Sequence, residues 1–450
     1  MNRWTKASLV LLIAIFTTLP ALAQTLTITC RCVADGVNSA LVSWVNDFVI
    51  PEFEAMNDGV TVELIEFGGS DEAIKEQYAL DLSVGGGADI LAFDGFWVPE
   101  FVDAGLLKPL SEVSSAANDW EGWASIPDGL EALMSFDGER YGIANGTDFR
   151  MIFYRKDILA EAGVENADNW QPQTWADVLE AARMVKAAMP DSAPLQINAG
   201  TAMGEATTMQ GWYMVLLGTG QGLTTDDGKW IVRSQGILDA LNFYQEVYGE
   251  EGLGDARVQL LQDGRNRSFA NFRDGTTAML VEGDWFYRSV TAPESEFAVA
   301  NRDEVMGWTP MPAQEAGSGL NGQDFVTISG GTGFTINPNT ENPDLAWELL
   351  AFMNSQEALM AAQETQPRIR IRDDVPVPDN AFLTATAETL GQYTTARPNL
   401  AVYPEISFEA QLMTERVVSG DMTPEEAMDA YAEAVTALVG EENTADLLNQ

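Results

Sequence analysis

Apolar positions along this chain recur with two periods. From Leu26 to Thr29 and from Val60 to Phe67 they form short runs rich in Val, Ile and Leu, the pattern of strands. Between them, Leu41 to Met56 shows helical spacing, with Pro51 as an irregularity. Strand, helix, strand at this distance predicts a parallel α/β sheet. A third apolar run, Ile90 to Phe93, ends in Asp94, is followed by Phe96 and Trp97, and leads into an amphipathic segment stopped by Gly105 and Pro109. That order sets a carboxylate and an indole at a strand's carboxyl end, outside which open α/β sheets hold their ligands.

Tyr141 to Tyr154 reads as extended, polar and aromatic, and leads through Asp157 to a short helix ended near Gly163. Thr174 caps a long helix stopped by Pro190, with Asp177 three residues on completing a capping box. Gly211 to Gly252 alternates aromatic-rich helices with glycine turns. In FANFRDGTTAMLVEGDWFYRSV, starting at Phe269, a helix end gives way at Gly275 to a strand and then to a polar aromatic turn over Gly283 to Tyr287. The carboxyl third is mostly helical, with Pro343 and Pro424 each at a helix start.

Arg3 and Lys6 precede an apolar run from Leu9 to Ile15 and the small-residue site Ala21, Leu22, Ala23. This is the pattern of a secretory signal peptide over residues 1–23, cleaved after about Ala23, and the run is too short to span a bilayer. Cys30 and Cys32 follow on the first strand. A disulfide between residues two apart would be strained, and a metal site would lack further ligands, so the pair is expected to be two small core or edge residues. Neither cysteine follows the cleavage point as a lipid anchor would, which favours a periplasm.

The chain's formal charge is −44, and it has no histidine. An acidic surface opposes binding to nucleic acid and to anionic membrane, both of which are met by Lys and Arg. The lack of histidine removes the commonest general base and metal ligand. With 450 residues, 46% of them hydrophobic, two or three domains are expected. No Pro-rich, Ser-rich or low-complexity linker separates them, so the domains should be joined by more than one short crossing.

Several stretches together carry a family resemblance: GVTVEL at Gly59, ADILAFDGFWVPEFVDAGLLKPL at Ala88, YGIANGTDFRMIFYRKDILAEAG at Tyr141, FRDGTTAMLVEGDWFY at Phe272, GGTGFTI at Gly330, NPDLAWELLAFM at Asn342 and ARPNLAVYPEIS at Ala396. In order and spacing the chain resembles the solute-binding proteins of ABC importers, in the sugar-binding family that includes the maltose and trehalose/maltose receptors. The resemblance implies an α/β, two-lobe periplasmic-binding-protein (type II) fold with a hinge crossed several times and ligand between the lobes. The N-terminal lobe is expected at 25–138 plus 298–344 and the C-terminal lobe at 139–297 plus 345–450. A small carbohydrate ligand, a membrane permease as partner, a periplasmic monomer, no cofactor, no metal and no catalysis are implied with it.

Sugar hydroxyls both donate and accept, so planar charged groups that engage two neighbours suit them, and aromatic rings suit the apolar pyranose faces. Asp94 and Asp148 match positions where relatives place ligand-binding acids, Trp285 matches a stacking aromatic and Arg397 an arginine that reaches ligand. Gly330 and Gly331 would let backbone approach the ligand. Glu205 lies on a glycine-bounded stretch able to close over the cleft, and Trp97 and Tyr287 complete the candidate set. Five of them have a structural alternative: Asp94 as a helix cap, Asp148 as a partner of Arg150 or Arg155, Trp285 in the core, Trp97 and Tyr287 as packing residues. Where many relatives carry tryptophan after the glycine pair, this chain has Thr332, which puts maltose and trehalose in doubt. Two other readings stay open: the same fold binding a polyamine, amino acid or peptide, and a glycoside hydrolase built on a carboxylate pair.

Overall fold

The computed structural model describes residues 24–448 except 294, 371 and 377–379; the expected signal peptide lies outside the described residues. Two sheets organise the chain. The first has five strands in the spatial order Val60–Glu66, Gln24–Cys30, Ile90–Asp94, Gly331–Ile336, Gly142–Thr147. Its first three strands run parallel and are linked by helices, as the alternating pattern requires. The strand Gly331–Ile336 arrives from far along the chain and lies antiparallel between Ile90–Asp94 and Gly142–Thr147.

The helical run over Leu41 to Met56 forms as expected and shows how Pro51 is accommodated. Helix Ser39–Trp44 widens into a π-helical turn, Val45–Val49, before helix Ile50–Met56 begins with Pro51 in its first turn, where a missing N–H costs least. The two cysteines correct the expectation of unlinked core residues: Cys30 and Cys32 are joined as a disulfide. The strand ends at Cys30 and the backbone bends at Arg31, so the two Cα atoms are 5.3 Å apart, within disulfide range.

The second sheet runs Met306–Thr309, Arg150–Arg155, Met279–Gly283, Leu195–Gln196. Both its faces are covered, and strand alternation divides the side chains: Ile152, Tyr154, Met279 and Val281 enter one apolar core, Met151, Phe153 and Leu280 the other. Helix Trp175–Ala188 carries the expected capping box, with Asp177 N–H donating to Thr174 Oγ1 at 3.3 Å. Thr423 and Glu426 repeat that device at helix Pro424–Val439.

Sheet membership differs from the lobe division expected from sequence. Strand Gly142–Thr147 belongs to the first sheet, and Asp148 and Phe149 alone separate it from Arg150–Arg155 of the second. Met306–Thr309 pairs in the second sheet, and Phe325–Ile328 packs Val326 and Ile328 into the second core; Ser329 and Gly330 then lead back to the first sheet. Helices Pro343–Met353 and Gln356–Thr365 pack Trp347, Leu350 and Ala358 against Ile28 and Phe93 of the first core. A third crossing follows, where Thr147 bridges Ile369 before helix Ala381–Leu390 packs on the second sheet. A strand cannot pair across a cleft, so hydrogen-bonded partners, and not similarity of local sequence, decide lobe membership.

Candidate functional site

The Asp94 strand delivers its terminal carboxylate to the gap between the lobes because a tight turn follows at once: Phe96 N–H donates to Asp94 Oδ1 at 3.4 Å. Asp94 is thus a cap, and it is also an ion-pair partner. Arg397, which follows the short strand Thr394–Thr395 on the second lobe's side, reaches across and donates from Nη2 to Asp94 Oδ1 at 3.0 Å. Its Nη1 donates to Glu205 Oε1, also at 3.0 Å. Glu205 further accepts from Tyr403 Oη at 2.7 Å and Ser407 Oγ at 2.5 Å, so helix Tyr403–Val418 fixes the carboxylate that fixes the arginine. The guanidinium lies 4.0 Å from the Phe96 ring centre, and that ring meets Tyr403 edge-on, 6.1 Å between centres.

A second group forms at the hinge. Asp148 Oδ1 accepts from Gly330 N–H at 2.9 Å and pairs with Arg150. Thr147 Oγ1 donates to Gly330 O at 3.0 Å, so two hinge crossings are tied through one glycine. Arg150 also donates from Nε to Gln210 Oε1 at 3.2 Å and lies 4.8 Å from the centre of the Trp285 ring. Trp285 is half-buried, and it lies so close to Gly283 that a Cβ there would stand 2.1 Å from the ring. Arg265, held by Glu282 at 2.8 Å, flanks the same ring at 6.0 Å.

The third crossing supplies Arg368, whose Nη1 donates to Asn145 Oδ1 at 2.9 Å and to Thr332 Oγ1 at 3.4 Å. Thr332 is exposed and stands opposite Asp94 in the strand register.

Electrostatics separate the two aspartates. Burial pushes the Asp94 carboxyl up to about 6, against the opposing pull of Arg397. Burial acts on Asp148 in the same sense, but Arg150, Arg368 and the Gly330 amide outweigh it and hold Asp148 below the usual carboxylate range. Burial also works against the charge on Arg397, yet Asp94 and Glu205 more than compensate and keep it protonated. Asp284, beside Trp285, is raised by burial despite its contact with Arg288.

The structure therefore gathers Asp94, Asp148, Glu205, Trp285, Gly330, Thr332 and Arg397 about one interlobe region. Gly331 adjoins it but faces the first lobe, where a Cβ would lie 2.6 Å from Leu133. Two candidates are not brought there. Trp97 is buried in the first core, edge-on to Phe93 at 5.2 Å. Tyr287 stacks on Phe382 at 4.3 Å and donates to Asp303 at 2.7 Å on the far face of the second sheet. Sequence reasoning passed over Phe96, Tyr403, Ser407 and Arg368, and saw Arg150 only as a partner for Asp148. The alternation Arg368, Arg370, Arg372 in a chain with so few bases was the available signal.

Two α/β lobes, three short crossings and a polar, aromatic-walled region between them define a hinged binding protein. A model of the bacterial extracellular solute-binding proteins matches residues 38–360, and the chain belongs to that family. A Brucella abortus (strain 2308) protein designated a binding protein is 24% identical over 310 residues, 67% of this chain. The match spans 66% of that protein's length, just under two thirds. The galactooligosaccharide-binding protein of Bacillus subtilis (strain 168) is 22% identical over 392 residues, covering 85% of this chain and 84% of that one. An ABC transporter solute-binding protein of Thermotoga lettingae TMO, solved with alpha-D-tagatose bound, superposes with a TM-score of 0.76 at 27% identity, covering 93% of this chain and 100% of its own. The two-lobe fold is thereby established, and the family is one of extracellular binding proteins, not enzymes. No helix among the described residues is long and apolar enough to cross a membrane.

Proposed function

We propose that this chain captures a small carbohydrate, a mono- or disaccharide or related polyol, in the interlobe cleft and delivers it to the permease of an ABC importer. It would do so as a periplasmic monomer, after loss of residues 1–23 and without nucleic acid or cofactor. The observation that carries the reading is Arg397 spanning Asp94 of one lobe and Glu205 of the other, with the Phe96 and Trp285 rings beside the charged groups. Forked guanidiniums and carboxylates engage vicinal hydroxyls, and the rings cover C–H faces. The relatives that bind tagatose and galactooligosaccharides agree with this chemistry.

In this reading Asp94, Asp148 and Arg397 contact the sugar, Trp285 forms a wall, and Gly330 and Thr332 line the hinge side. Glu205 acts by holding Arg397. Trp97 and Tyr287 support the lobes. By sheet membership we divide the lobes at 24–147 plus 331–365 and 150–328 plus 381–448. Ligand contacting both lobes favours their closed arrangement by its differential affinity, and the closed pair is what a permease would recognise. A polyamine fits less well, because Asp94, Asp148 and Glu205 already face arginines.

A thermal-shift panel of sugars, polyols, polyamines and amino acids tests the proposal. A ligand at 100 times its dissociation constant adds about 2.7 kcal/mol. Stabilisation by a saccharide is expected; stabilisation by cations alone, fading with salt, would overturn the choice of ligand.

A further inference from the structure

Six arginines gather at the hinge and cleft of a chain whose formal charge is −44: Arg150, Arg265, Arg288, Arg368, Arg370 and Arg397. Four of them have carboxylate partners, supplied by Asp148, Glu282, Asp284, and Asp94 with Glu205. Among the described residues, Arg368 and Arg370 have none within ion-pair distance. Both are more than nine-tenths buried, at 7% and 8% exposure. Arg370 is occupied by the carbonyls of Asn145 and Gln366, at 3.1 and 2.8 Å. Each leaves a buried Nε without a partner.

Uncompensated buried charge is costly, and proteins keep it where something pairs with it. Burial, with Arg288 nearby, lowers Arg368 to about 10, although Asp148 and Asp284 act on it from a distance. Gly146 makes the space for this side chain, since a Cβ there would stand 2.4 Å from Arg368 Nε. The guanidinium accordingly lies between the Gly142–Thr147 strand and Thr332, whose side chain is exposed. Its weakest contact, 3.4 Å to Thr332 Oγ1, is to an exposed side chain one strand away from Asp94. A ligand oxygen arriving from the cleft would take that contact first.

We propose that the solute is an acidic sugar of the uronate type, whose carboxylate docks on Arg368 while its hydroxyls meet the Asp94 and Arg397 side of the cleft. This rests on the carbohydrate reading above. A planar carboxylate matches the guanidinium fork. Arg370 is already held by two carbonyls, so Arg368 is the guanidinium of this group left to meet the planar carboxylate of a uronate.

The test is calorimetry of the mature chain with glucuronate and galacturonate, their neutral counterparts glucose and galactose, and glucose 6-phosphate. A uronate should bind at least about tenfold more tightly than its neutral partner, a gap of one decade in dissociation constant. Its affinity should fall as salt rises. Arg368→Gln should cut the acid-to-neutral affinity ratio at least about tenfold. Neutral sugars binding as well as uronates, phosphate preferred over uronate, or an unchanged ratio in Arg368→Gln would overturn the proposal and leave the carbohydrate receptor standing. Should Arg368→Gln fail to fold, the wild-type acid preference and its salt dependence decide the matter alone. Binding of no sugar at all, acidic or neutral, overturns the carbohydrate reading and this inference with it.

Discussion

Arg397 is where the charges of the two lobes meet. Replacing it with alanine leaves Asp94 and Glu205 facing each other across the cleft without their shared cation. Breaking a largely buried pair from one side costs about 3 kcal/mol, and the Arg397 side chain is 8% exposed. Arg397→Ala should therefore lower the urea midpoint and weaken ligand binding together, whereas a purely surface arginine would change neither. Asp94 predicts a pH effect of definite sign. Its value in the fold, about 6, lies above the ordinary 3.8, so between these limits the folded chain holds a proton that the unfolded chain has released. The stability this group contributes is greatest below that window and falls as pH rises through it, by at most about 1.4 kcal/mol per pH unit. In paired denaturation curves, Asp94→Asn should gain on the wild type as pH rises from 4 to 6. A difference independent of pH would remove the raised carboxyl. At this scale the sequence exposed the residues whose chemistry is local, Asp94 after its strand and Trp285 in its turn. It hid Tyr403, Ser407 and Phe96, because their importance comes only from the arginine that reaches them from another lobe.

Elements were the most legible scale, since caps, prolines and period-2 runs act over a few residues. The capping box at Thr174, the helix starts at Pro343 and Pro424 and the strand ending at Asp94 all stand where the pattern put them. Thr174→Ala should cost about 1 kcal/mol of stability without touching ligand affinity. Expectation and structure part where the pattern is not local. The apolar run predicts a strand through Cys30 and Cys32, but the strand ends at the first of them and the chain bends at Arg31. The expected lobe boundaries rest on the family resemblance, and no local pattern tells that Gly142–Thr147 hydrogen-bonds to a strand nearly two hundred residues away. Gly283 shows how an element serves the site: its missing side chain is what lets the Trp285 ring lie flat on the end of its strand. Gly283→Ala must displace that ring, and tryptophan fluorescence with a several-fold loss of ligand affinity should report it while the sheet survives.

For the whole molecule, three crossings join the lobes, and hydrogen bonds through Thr147, Asp148 and Gly330 tie them to one another. Asp148, Gly330 and Arg368 each sit on a different crossing and lie close together, so in the proposed site the hinge would form the floor. A ligand held there and by Asp94 senses both lobes at once. Its differential affinity for the closed arrangement sets how far it shifts the lobes toward closure. The most direct measurement is a calorimetric titration of wild type and Asp94→Ala with the saccharide that stabilises the protein best. One site per chain, lost or weakened at least about a hundredfold in Asp94→Ala, is the outcome this account predicts, a change of roughly two decades in dissociation constant. Equal affinity in the two proteins, with folding intact, would place the ligand elsewhere and contradict it.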